Sequence, residues 1–239
     1  MKITLDNRTI VPSYIIAAMW YMMCIKFIPE PWCAIFKIVP ISLLIVALFS
    51  QLKELKTERW TLILPIIALS LSTVGDIFGD MKIGEFSDIA FLLQIFFFLA
   101  AHFVYIGTFV RYSLKPRPDG LSKWDAAGRL VAALLLILAV ITLCDRVLSV
   151  VESPVFRVAI SGYMVIISLM ALTAIMQTRE HVWFTIAGAL LFVVSDSIIA
   201  WTAFVPDNGI PLAIEDTLVF LTYYGAQLLM NVGLVKKTA

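Results

Sequence analysis

Charge is scarce in this chain. Asp, Glu, Lys and Arg make up 15% of its 239 residues, against about 25% in an ordinary soluble domain. The net charge of +1 leaves no basic field for a nucleic acid to find. Histidine is almost absent, with His102 and His181 alone, and the three cysteines, Cys24, Cys33 and Cys144, form no CxxC. Without HExxH, HxxxH or a Cys/His cluster, a three-His zinc hydrolase and a thiolate metal site are disfavoured, and only a metal held by carboxylates stays open. The odd, unpatterned cysteines suggest no disulfide framework. No GxSxG elbow is present either, and no cofactor is expected.

What the chain has in excess is apolar surface: 61% of its residues are hydrophobic and the mean hydropathy is +0.96. That composition makes it a polytopic membrane protein. Eight apolar runs of roughly 20 residues are expected to span, at 11–28, 34–52, 60–79, 86–110, 126–148, 155–176, 182–204 and 214–235. Breakers separate them, among them Pro29-Glu30-Pro31, the charged run from Lys53 to Arg59, and Lys115-Pro116-Arg117-Pro118-Asp119-Gly120. Every connection is short, so residues 1–239 are expected to form a single all-α transmembrane bundle with no soluble domain. The N-terminal MKITLDNRTI lacks a short apolar core and a small-residue cleavage site; the first helix is therefore expected to be a permanent span.

The Lys/Arg bias orients the bundle. With eight spans, one side collects Lys2, Arg8, Lys53, Lys56, Arg59, Arg111, Lys115, Arg117, Lys123, Arg129, Arg179, Lys236 and Lys237, and the other only Lys82, Arg146 and Arg157. Thirteen against three predicts both termini in the cytoplasm. Lys26 and Lys37 lie within or near the ends of the first two spans, where a lysine snorkels to the headgroups or, for Lys37 near Pro40, reaches inward.

Two intramembrane acids stand out. Asp76 closes the stretch Ala68-Leu69-Ser70-Leu71-Ser72-Thr73-Val74-Gly75, and Asp196 sits two-thirds along the run from Val182 to Phe204. A carboxylate at such depth costs at least a few kcal/mol unless it faces a partner, a cavity or water. Counting ~1.5 Å per residue from the inner end of each helix puts Asp76 roughly 24 Å and Asp196 roughly 21 Å across, so the two are expected at similar depth in the outer half. Ser72 and Asp76 share a face, as do Phe192 and Asp196. His102 with Tyr105, and Tyr223 with Gln227, are paired on helix faces and must find partners within the bundle; each is read either as an interhelical hydrogen bond or as part of a site. Gly75-x-x-x-Gly79 matches a close-packing motif. Two acids in a dry site do not both ionise cheaply, so one holds its proton while the other stays charged. That division suits acid-catalysed cleavage through an oxocarbenium-like cation. A proton path and simple helix packing are the competing readings of the same pair.

Six groups of residues, in order along the chain, resemble the YhhN-like lysoplasmalogenase family of integral membrane proteins. They are Lys37 with Pro40, Ser72 with Gly75-Asp76, Ala101-His102 with Tyr105, Tyr163 with Met170, Gly188-Ala189-Leu190-Leu191-Phe192 with Ser195-Asp196, and Tyr223-Tyr224 with Ala226-Gln227. Gln94 departs from the pattern, standing where a small residue is expected.

The resemblance implies hydrolysis of the vinyl ether of a lysoplasmalogen to a fatty aldehyde and a glycerophospho-alcohol. It implies Asp76 and Asp196 as the catalytic acids, and Lys37, Ser72, His102, Tyr105, Ser195, Tyr223 and Gln227 around the substrate. The partners implied are a lysophospholipid and the bilayer, and the expected location is the bacterial cytoplasmic (inner) membrane. In the corresponding scheme one Asp protonates the alkenyl carbon, the other steadies the cation and polarises the attacking water, and Lys37 binds the lipid phosphate. By helical rise His102 lies deeper than the acids, which favours a supporting role. The alternatives are a proton-coupled transporter or channel, and a lipid-binding scaffold.

Overall fold

The computed structural model describes residues 10–28, 32–52, 59–80, 87–113, 122–177, 182–206 and 209–235, and every regular element among them is helical. The helices are α1 (Ile10–Cys24), α2 (Trp32–Lys37), α3 (Val39–Leu52), α4 (Trp60–Asp80), α5 (Ser87–Ser113), α6 (Lys123–Val150), α7 (Pro154–Ile175), α8 (Val182–Phe204) and α9 (Leu212–Val235). Lipid offers no hydrogen bonds, so apolar runs of this length pair their backbone internally, as helices.

Seven segments are long and apolar enough to cross a membrane, with α2 and α3 joined as one segment, Trp32–Leu52. The break between them falls at Ile38, one turn before Ser42 returns a hydrogen bond to the Ile38 carbonyl. Pro40 brings no N–H and crowds the carbonyl four residues back, which accounts for the interruption. The eighth expected span, α1, is shorter as an α-helix. It continues through a 3-10 turn, Ile25–Phe27, and the two together reach roughly 28 Å, close to the thickness of a hydrocarbon core. The chain is an integral membrane protein built as a polytopic helical bundle.

Neighbouring helices form a closed ring in the order α1, α3, α4, α5, α7, α8 and α9, with α9 returning to α1 and α6 lying outside against α7 and α8. The two most extensive seams are α8–α9 and α4–α5, and both rely on missing side chains. At Gly188 an added methyl would come within 2.6 Å of the Met230 backbone N; at Gly75 it would meet the Phe98 ring at 2.9 Å. Backbones that approach this closely are how membrane helices gain packing energy when no hydrophobic effect separates helix from lipid. On α6, Leu130, Leu134, Leu135, Leu138 and Ile141 are exposed, a face suited to lipid.

Lys2, Arg8, Lys53, Lys56, Lys82, Lys115, Arg117, Arg179, Lys236 and Lys237, which carry most of the orientation argument, lie outside the described residues, as does the side chain of Lys26. Arg129 is buried, and its Nη1 donates to the Ile175 carbonyl at 2.9 Å and to that of Gln177.

Candidate functional site

The intramembrane polar residues fold into two clusters. The first joins α2, α4 and α9. Asp76, 3% exposed, accepts a hydrogen bond from Tyr223 Oη at 2.6 Å, and its Oδ1 lies 3.5 Å from Lys37 Nζ. Lys37 is itself 6% exposed and reaches Asp80 Oδ1 at 3.0 Å. It therefore points inward, of the two orientations open to it in the sequence. Its ammonium is already shared between two carboxylates, so a lipid phosphate would have to displace one of them. Tyr224 donates to the Lys37 carbonyl at 2.8 Å, and Tyr14 on α1 to the Tyr224 carbonyl at 2.7 Å. These bonds fasten the end of α2, where Pro40 has broken the helix.

The second cluster joins α5, α7 and α8. Tyr163 donates to Asp196 Oδ2 and lies 2.9 Å from His102 Nε2, which is 3.6 Å from the same Asp196 oxygen. His102 is fully buried and its Nδ1 meets no partner among the described residues.

Two aromatic rings, Phe98 and Phe192, pack against members of the clusters. Phe192 packs edge-on against His102, 4.8 Å between centroids, and against Tyr223 at 5.5 Å; Phe98 lies 6.2 Å from Phe192 and 6.0 Å from Tyr223. Asp76 and Asp196 share no hydrogen-bonding partner: each has its own tyrosine and its own cationic or imidazole neighbour.

The remaining site candidates lie around the first cluster or on a helix seam. Tyr105 donates to Gln227 Oε1 at 2.9 Å, and Asn231 Nδ2 donates to Tyr105 Oη at 3.3 Å. Ser72 is fully buried with its hydroxyl unpaired among the described residues, whereas its neighbours Ser70 and Thr73 bond back to their own helix. Ser195 donates to the Val219 carbonyl at 3.2 Å, which ties α8 to α9 and turns the hydroxyl away from the second cluster.

A groove of about 690 Å³, counting its open mouth, is bounded by α5, α6, α7 and α8. Its walls are apolar, with Phe91, Leu143, Met164 and Val193 among them, and its polar lining is Asp196, Tyr163, Ser197 and Gln94. Asp196 is on the lining and Asp76 is not. The groove continues outward past Phe91, Gln94 and Phe204 into a second hollow that includes Ser87, Asp88 and Gly79. A carboxyl at the wall of an apolar groove can hand a proton to the double bond of a bound alkenyl chain. Among the described residues no three His, Cys, Asp or Glu side chains are grouped to hold a metal ion.

Helical rise puts His102 deeper than the acids, and the structure keeps it so while bringing it within 3.6 Å of Asp196. Phe91 on α5 faces Phe204 on α8, 5.9 Å between centroids. From that level His102 is eleven residues inward and Asp196 eight, a gap of only ~4–5 Å, which the side chains and Tyr163 close. Tyr163 is the partner that the sequence argument passed over. Its signal was there: Ser and Thr can bond the carbonyl one turn back, but a tyrosine within a span must find its partner on another helix. Asp80, one residue beyond the expected span 60–79, is the last residue of α4.

Lysoplasmalogenase TMEM86B of Sus scrofa is 31% identical over 144 residues, covering 60% of this chain and 54% of that protein. The chain thus spans about half the length of the curated relative it matches. No solved structure matches the chain significantly. Residues 32–234, which hold both polar clusters and the groove between α5 and α8, match the sequence model of the YhhN family, and the chain belongs to that family.

Proposed function

We propose that this protein hydrolyses the vinyl ether bond of a lysoplasmalogen, with Asp196 as the acid that touches the substrate. The observation that carries the reading is the placement of Asp196: a carboxyl, braced by Tyr163, on the wall of an apolar groove. Lysoplasmalogenase in the name of the Sus scrofa relative supports the same substrate class.

In the proposed reaction the alkenyl chain lies in the groove with its double bond at Asp196. Oδ2 is held by Tyr163, so Oδ1 carries the proton. The π pair takes that proton to form the new C–H bond, and the ether-bearing carbon becomes an oxocarbenium ion facing the carboxylate left behind. Water adds to the cation and returns a proton to Asp196, and the hemiacetal collapses to aldehyde and glycerol hydroxyl. Asp76, held by Lys37 and Tyr223 behind the ring wall, acts as a supporting charge rather than as the second reacting carboxylate. The Lys/Arg bias of the sequence supports an orientation with both termini in the cytoplasm and the groove in the outer half of the bilayer.

Purified protein is incubated with lysoplasmalogens and with ordinary lysophospholipids, and aldehyde is read by mass spectrometry. Release from the vinyl ether alone is expected, lost at least a hundredfold in Asp196→Asn and only partly in Asp76→Asn. Near-normal turnover in Asp196→Asn ends the proposal; equal, complete loss in both folded variants restores a symmetric two-aspartate scheme. The competing reading, proton-coupled transport, draws on the Lys37–Asp76–Asp80 cluster, which lines no part of the groove. Proton flux in proteoliposomes without any lipid product would favour it.

A further inference from the structure

Gln94 is a polar group in an apolar wall. It is half-buried on α5, it lines the groove and the hollow beyond it, and its carboxamide makes no hydrogen bond to the described residues. The amide lies over Gly79 of α4, where a methyl would come within 2.6 Å of Nε2. Glycine there makes the room. An amide standing unpaired in an apolar wall costs free energy unless a ligand or water completes it.

Its height in the groove narrows the ligand. From the facing pair Phe91 and Phe204, Gln94 is three residues inward on α5 and Asp196 eight inward on α8, so Gln94 stands roughly 7 Å nearer the outer end. In a lysoplasmalogen the free sn-2 hydroxyl is five bonds from the carbon that takes the proton, roughly 6 Å when extended. With the double bond at Asp196 and the headgroup turned outward, that hydroxyl comes to the level of Gln94. Resting on the vinyl ether reading above, we infer that Gln94 is a specificity-determining residue that hydrogen-bonds the sn-2 hydroxyl and so selects a lysolipid over a lipid acylated at that position. A carboxamide suits the task, since it both donates to and accepts from a hydroxyl. An ester at the same position offers no donor and adds a chain where Gly79 and Gln94 close the wall.

The test separates this inference from the hydrolysis itself. Binding to wild-type protein in nanodiscs is measured for two non-cleavable saturated 1-O-alkyl lysolipids, one with the sn-2 hydroxyl and one with hydrogen in its place. Wild type is expected to prefer the hydroxyl form three- to tenfold, the worth of one neutral hydrogen bond. Gln94→Leu, and Gln94→Met as a shape-matched second variant should the first fail to fold, are expected to bind both equally. Equal binding by wild type, or an undiminished preference in either folded variant, overturns the inference. Failure of vinyl ether hydrolysis with the preference intact overturns the reaction and leaves the hydroxyl site standing. On cleavable substrate, the variants are expected to raise KM with kcat little changed.

Discussion

His102 and Asp196 are joined through one hydroxyl: Tyr163 donates to Oδ2 of Asp196 and lies 2.9 Å from Nε2 of His102. Since that hydroxyl's single hydrogen goes to the carboxylate, its oxygen accepts from His102, and Nε2 is the ring nitrogen that carries hydrogen. The arrangement fixes which carboxyl oxygen faces the groove. Tyr163→Phe removes the donor and leaves both neighbours unaimed. As its proton leaves, Asp196 becomes a carboxylate, and a hydrogen bond to a charged group is worth about 1.5–3 kcal/mol, so aldehyde release is expected to fall about 10- to 100-fold. A folded variant with unaltered turnover would remove Tyr163 from the mechanism.

Lys37 serves two carboxylates, Asp80 at 3.0 Å and Asp76 at 3.5 Å, and the three do not lose equally when one is changed. Lys37→Met strands two acids beside each other, and breaking a buried ion pair in this way costs about 3–5 kcal/mol. Asp76→Asn keeps the lysine paired to Asp80 and keeps a group that can accept from Tyr223. Its thermal stability in detergent is therefore expected well above that of Lys37→Met. Adding Asp76→Asn to Lys37→Met is expected to recover part of the loss, because Asp80, 25% exposed at its side chain, can turn toward solvent. An additive double variant would contradict this coupling.

The helices were legible in the sequence because apolar runs of bilayer length have one outcome in lipid. Seven met the length expected, and the eighth differed only in finishing as a 3-10 turn. The polar residues were legible one by one for the same reason: each is too costly in lipid to be accidental. Their partners were not. Asp76 and Asp196 echo each other in sequence and depth, which pointed to a shared site, yet side-chain direction around each helix axis depends on packing at Gly75 and Gly188 and on where Phe98 and Phe192 lodge. Those rings divided the pair. His102 lies deeper than Asp196, as helical rise suggested, but by only ~4–5 Å from the level of Phe91 and Phe204.

Arg129 was counted among the charges of the cytoplasmic side and is buried, its Nη1 donating to the carbonyls of Ile175 and Gln177 where α7 ends. The last carbonyls of a helix have no partner within it and carry partial negative charge, so a guanidinium from α6 closes that end. Arg129→Leu is expected to lower stability by about 1.5–3 kcal/mol, and Arg129→Lys to recover part of it. Thermal unfolding of the purified variants reads the difference. Because α6, among the described residues, packs mainly along α7 and α8, its loosening is also expected to open the groove side that it supplies through Val140 and Leu143, visible as faster hydrogen exchange in α6 than in α9.

The glycines of α7 and α8 make opposite demands and allow a paired test. At Gly162 an added methyl meets nothing within 4 Å, so Gly162→Ala only gains the helical preference of alanine, about 0.5–1 kcal/mol. At Gly188 the same methyl meets the Met230 backbone N at 2.6 Å and the Ala226 carbonyl O at 2.8 Å. Neither is the end of a flexible side chain; the whole of α9 must retreat. Overpacking of this kind costs about 1–3 kcal/mol, and here the retreat also pulls Tyr223 from Asp76 on α4 and Gln227 from Tyr105 on α5, since Tyr223 and Gln227 are both carried by α9. Gly162→Ala is therefore expected to melt at or above the wild-type temperature and to keep full activity. Gly188→Ala is expected to melt several degrees lower and to lose activity beyond what its stability explains. Equal melting temperatures for the two would mean that the α8–α9 seam is looser than its 2.6 Å approach requires.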